Sequence, residues 1–90
     1  MTPTQARNFD ILGNQLATAA LTTLIRLCPE IRTASDEKRE AALVAMRAKI
    51  SDALDELLDD ANAVPGLAEV AFATAVLTLA HEGIKVLRGN

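Results

Sequence analysis

Apolar positions recur at helical spacing in three long stretches, and prolines mark their limits. In the first, Phe9, Leu12, Leu16, Ala20, Leu24 and Leu27 are three or four residues apart. At about 100° per residue they share one face, with Asn8, Gln15, Thr22 and Arg26 turned away from it. Pro29 disfavours helical backbone at Cys28, so the spacing predicts a first helix over 4–27. Ser35 followed by Asp36 and Glu37 is a helix start, because the hydroxyl can accept from free N–H groups and the acids favour the positive end of the dipole. The second helix is predicted over 36–61. Leu43, Met46, Ile50, Ala53, Leu54, Leu57, Leu58 and Ala61 form its apolar stripe, opposite Lys38, Ala45, Lys49, Asp52, Glu56 and Asp59. Asn62 to Gly66 reads as a turn, with Pro65 opening a third helix over 65–88 that Gly89 and Asn90 end.

The third stretch has a different pattern from the other two. From Val70 to Ala80 it carries no charge at all, and a helix apolar nearly all round is expected to be enclosed by its neighbours. More than half of the charged residues fall in the second helix, which is therefore expected to be the outer one. The predicted fold is one all-α domain over residues 1–90, a three-helix antiparallel bundle. Gly13 and Gly83 interrupt helices at about 0.8 to 1 kcal/mol each relative to Ala, and close approach of a neighbouring helix is the expected reason.

A second apolar line on the first helix, Ile11, Thr18 and Ile25 with Leu21 beside it, borders the polar side. A chain of 90 residues buries only about two thirds of its unfolded surface. A homodimer through helices 1 and 3 is thus expected, burying Ile11, Leu21 and Ile25 together with Phe72, Val76 and Leu79.

Composition narrows the function classes. Half the residues are hydrophobic but only 2% aromatic, so the core is built from Ala, Leu, Val and Ile. A net charge of -3 and a pI near 5.0 argue against a general nucleic-acid binder, which neutralises phosphates with clustered Lys and Arg. The single Cys28 excludes an internal disulfide and fits a reducing compartment. The uncharged runs 11–25 and 70–80 are shorter than the roughly 18 residues of a membrane span. Asp10, Asn14 and Arg26 do not suit a secretory leader, so a cytoplasmic location is expected.

No glycine-rich phosphate loop, C-x-x-C, H-x-x-x-H or G-x-S-x-G occurs, and neither cofactor, metal nor enzymatic activity is expected. His81, with Thr74, Thr78 and Lys85 on one strip, reads as the solvent edge of helix 3. A small enzyme or hydrophobic-ligand carrier built on His81 is the alternative reading of that strip. The stronger oddity is acidic. Asp52, Asp55, Glu56, Asp59 and Asp60 crowd the end of helix 2, where negative charge opposes the dipole. Their i, i+4 pairs are like-signed, each costing about 0.2 to 0.5 kcal/mol. A helix shaped by stability alone would carry Lys or Arg there. The favoured expectation is a small adaptor or inhibitor whose acidic surface meets a basic protein partner. A helical nucleic-acid-associated regulator using Arg26, Arg32, Lys38 and Arg39 is the other, weakened by Asp36, Glu37 and Glu40 among those cations.

Overall fold

The fold follows the punctuation of the chain. α1 (Pro3–Leu27) ends just before Pro29, a short 3-10 turn (Pro29–Arg32) follows, then α2 (Asp36–Ala63) and α3 (Ala68–Arg88). This computed structural model describes residues 3–63 and 66–89, with side-chain environments for 10–60 and 66–89. Among the described residues every regular element is helical. The three helices pack together in a body of 41 × 26 × 18 Å.

Local chemistry sets the helix ends. Ser35 caps α2, its Oγ accepting from the Lys38 N–H at 3.2 Å, which satisfies one of the orphan donors of the first turn. The start of α3 differs from the expectation. Pro65 lies outside the described residues, but Gly66 sits at φ +97°, a left-handed turn that no helix can contain, so α3 begins at Ala68 after Leu67. At its other end Gly89 adopts φ 77° and its N–H returns to the Lys85 and Val86 carbonyls, the usual glycine stop.

Leu16, Leu24, Leu54 and Leu79 are completely or almost completely buried, and burial of each contributes on the order of 1.5 to 3 kcal/mol. Ala20, Ala42 and Ala80 lie between them with no exposed surface and let the helices approach closely. No polar side chain is buried among the described residues. Ala42 was not part of the predicted stripe, whereas Leu58 at its far edge is 37% exposed. Leu27, expected on the core face of helix 1, is exposed at the last position of α1. Conversely Ile31, in a connection read as polar, is buried and anchors the 3-10 turn to the core. Phe9 and Ala61 lie outside the residues with described side chains.

α3 is the hub, packing most extensively against α2 and next against α1, while α1 and α2 touch each other least. Leu24, Met46 and Gly83 meet at one level of the bundle and Gly13 meets Leu54 at another. Two neighbours cannot cover a helix all round. Val70 and Leu77 remain 59% and 48% exposed, so the full enclosure expected for helix 3 is absent from the single chain. The weak contact between α1 and α2 leaves a groove of about 320 Å³.

Candidate functional site

The acidic residues lie on the second half of α2, which the buried Met46, Ala53, Leu54 and Leu57 hold against the rest of the bundle. Asp52, Asp55, Glu56, Asp59 and Asp60 are all exposed. At about 100° per residue they fan across roughly 140° of the helix surface. Glu56 and Asp60 border a shallow cleft whose opposite wall is Ala71, Thr74, Ala75 and Thr78 of α3. Among the described residues the ion pairs are Arg39–Asp36, Lys85–Glu82 and Arg88–Glu30. None involves this cluster. Lys49, the nearest cation in the chain, makes no such pair, and the last turn of α2 contains no basic residue.

The imbalance extends into α3. Between Lys49 and Lys85 the chain has no Lys or Arg, while Glu69 adds a sixth carboxylate near the start of α3. Beside these acids Leu12, Leu57, Leu58, Ala68, Glu69 and Phe72 line an open hollow of about 380 Å³ whose walls are almost wholly apolar. Leu58 in its wall and Leu67, next to the lining Ala68, are exposed. The sequence reading missed this hollow, because its walls come from three helices and only packing assembles them.

The residues expected at an interface between copies divide into two groups. Ile11 and Leu21 are exposed at 48% and 37%, while Ile25 and Phe72 are half-buried against the core. Val76 and Leu79 are instead buried inside the chain's own core, on the face of α3 turned to its neighbours, and present nothing to another molecule. The apolar surface that α3 does expose is Val70 and Leu77. Leu21, Ala17, Thr18, Leu43, Arg47 and Ile50 are among the residues lining the α1–α2 groove.

The polar strip on α3 is occupied locally. The Thr74 hydroxyl donates to the Val70 carbonyl and the Thr78 hydroxyl to the Thr74 carbonyl, both at 2.9 Å. Lys85 pairs with Glu82. His81 is exposed. Among the described residues no three His, Cys, Asp or Glu side chains group closely enough to hold a metal ion. Of the basic set, Arg26, Arg32 and Lys38 are exposed and Arg39 pairs with Asp36 one turn away.

Cys28 belongs to a hydrogen-bonded trio. The buried thiol donates to Glu30 Oε2 at 3.0 Å, and Arg88 Nε donates to the same oxygen at 3.1 Å. Burial, then the carboxylate, push the Cys28 thiol up from its ordinary value. The thiol and Arg88 hold the Glu30 carboxyl below the usual range. A protonated, enclosed thiol is a poor nucleophile. The trio ties the end of α3 to the connection after α1, and nothing in the spacing of residues 58 positions apart announces it.

By length and composition α3 could cross a bilayer, with a mean hydropathy of 1.5 over its best window, of which 44% is buried in the bundle. No protein-family model, curated protein or solved structure matches this chain.

Proposed function

We propose that the protein is a non-enzymatic protein-binding module, an adaptor or inhibitor that acts in the cytoplasm and presents the acidic end of α2 to a basic partner. The observation that carries this reading is the exposure of five neighbouring carboxylates, at the negative end of a helix dipole, without a cation paired to them among the described residues. The free protein bears that repulsion, and a basic partner relieves it. Complementary charge of this kind mainly accelerates association and selects among partners.

A homodimer accompanies this function. Leu21 and Ile11 on α1, with Val70 and Leu77 on α3, are apolar surface that a twofold copy covers. The levels at which Gly13 meets Leu54 and Leu24 meets Met46 support an antiparallel course of α1 and α2.

The test replaces Glu56 and Asp59 by Lys. The new charges attract Asp52, Asp60 and Asp55 at i, i+4 spacing and suit the dipole, while positions 56 and 59 stay like-signed at i, i+3, so the free protein gains a few tenths of a kcal/mol. Wild-type and variant baits are then compared on extract of the source organism. A protein held by the wild type, released by salt and lost from the variant is expected. Equal retention by both baits would refute the acidic surface as the contact.

A further inference from the structure

We propose that the hollow between the starts of α1 and α3 and the end of α2 seats an apolar anchor residue of a cationic amphipathic helix. Lys or Arg beside that anchor then reaches Asp55, Asp59 and Glu69. This rests on the acidic-surface reading above and narrows the class of its partner.

Three features of the hollow point to this occupant. Its volume of about 380 Å³ falls in the range of ligand sites, and its walls, from Leu12, Leu57, Leu58, Ala68 and Phe72, offer an apolar side chain contacts from three helices while one side stays open. The surround is apolar too. Leu58 in its wall is 37% exposed and Leu67, next to the lining Ala68, is 45% exposed, and clustered apolar surface with a charged rim is the composition of a contact site. Among the described residues the rim has one sign. Glu69 lines the hollow itself, Asp55 and Asp59 flank Leu58 on α2, and no Lys or Arg occurs from residue 50 to residue 84. An anchor residue carrying its own positive charges at i±3 and i±4 matches both the hollow and its rim.

The recognition mode follows from the fold. Among the described residues there is no strand, so a partner cannot dock by adding to a sheet edge, and helix-in-groove docking is the mode an all-helical surface supports. A second copy is the competing occupant, since its exposed Leu27 sits beside Arg26. That contact is head-to-tail and would build rings or open chains, whereas an amphipathic helix closes the site with one partner.

The probe is a designed peptide about four turns long with Leu and Lys at helical spacing, compared with an oligolysine of equal charge. Fluorescence anisotropy is measured on the wild type, on Ala68→Phe, which fills the hollow from an exposed position, on Leu58→Ser, which removes a wall, and on Asp55→Lys/Asp59→Lys. The amphipathic peptide is expected to bind the wild type at least about tenfold more tightly than oligolysine, the scale of one anchor residue. Ala68→Phe and Leu58→Ser should each abolish that difference and leave oligolysine binding unchanged, with circular dichroism confirming the helices. The double charge reversal should weaken both peptides. Equal binding of the two peptides by the wild type, or indifference to both hollow variants, overturns the proposal. If the charge reversal still weakens both peptides, the acidic-surface reading stands alone; if it weakens neither, that reading fails as well. Concentration-dependent chains in sedimentation, abolished by Leu27→Ser, would give the hollow to a second copy and overturn the proposal too.

Discussion

Gly83 provides a quantitative test of the packing. A Cβ at this position would lie 2.8 Å from Met46 Sδ, 3.1 Å from Met46 Cγ and 3.3 Å from Leu24 Cδ2, whereas one at Gly13 would meet only Leu54 Cδ1 at 3.4 Å. Both positions are helical, so Gly→Ala carries the same intrinsic gain of about 0.8 to 1 kcal/mol. At Gly13 the added methyl has ordinary contact, and the gain should be realised. At Gly83 Met46 must move, yet Met46 is only 5% exposed and Leu24 is fully buried. Forcing an extra methyl into such a core costs about 1 to 3 kcal/mol, so Gly83→Ala is expected to lose about 1 kcal/mol net. Met46→Ala alone should cost about 2 to 5 kcal/mol. In that background the two closest atoms are gone and only Leu24 Cδ2 at 3.3 Å remains, so Gly83→Ala should gain up to about 1 kcal/mol, a coupling near 2 kcal/mol. Urea and thermal unfolding followed by far-UV circular dichroism, at fixed protein concentration because association shifts apparent stability, resolve these differences. Each kcal/mol corresponds to about 4 to 8 °C in Tm for a domain of this size. If Gly83→Ala stabilised the wild type as much as Gly13→Ala, the close approach of α2 and α3 at Met46 would be refuted.

The remaining expectations are briefer. Ser35→Ala removes the acceptor for the Lys38 N–H and should cost about 0.5 to 2 kcal/mol in unfolding experiments; no change would move the cap elsewhere. The Glu30 carboxyl is held below its ordinary value of 4.5, so its contribution is present above 4.5 and is lost as pH falls from there through the lowered folded-state value; a Glu30→Gln variant should show a flatter acid limb of stability against pH. Cys28 is held above its ordinary value of 9.0, so stability should fall as pH rises through that value and less steeply in Cys28→Ala. Leu21→Asp places a charge on the exposed face of α1 and should shift sedimentation toward the 9.6 kDa monomer; a wild type already monomeric at tens of micromolar, well above ordinary dissociation constants, would remove the dimer.

The helices themselves were legible in the sequence because their causes are local. Ser35 before two acids, Pro29 after Leu27, and Leu16, Ala20 and Leu24 at one-turn spacing each act within a turn of the chain, and the structure places helices where they predicted. The acidic cluster was legible for the same reason, since like charges at i, i+4 need no tertiary contact to be recognised. Tertiary packing decided the rest. A pattern apolar all round could not say which face of α3 the chain itself would cover, so Val76 and Leu79 went to its own core while Val70 and Leu77 stayed outside. The Cys28–Glu30–Arg88 cluster and the hollow lined by Leu12, Leu58 and Phe72 join residues far apart in the chain. Their existence depends on how three helix axes are placed in space, and that is set by the summed burial of the whole core and by no single stretch of sequence.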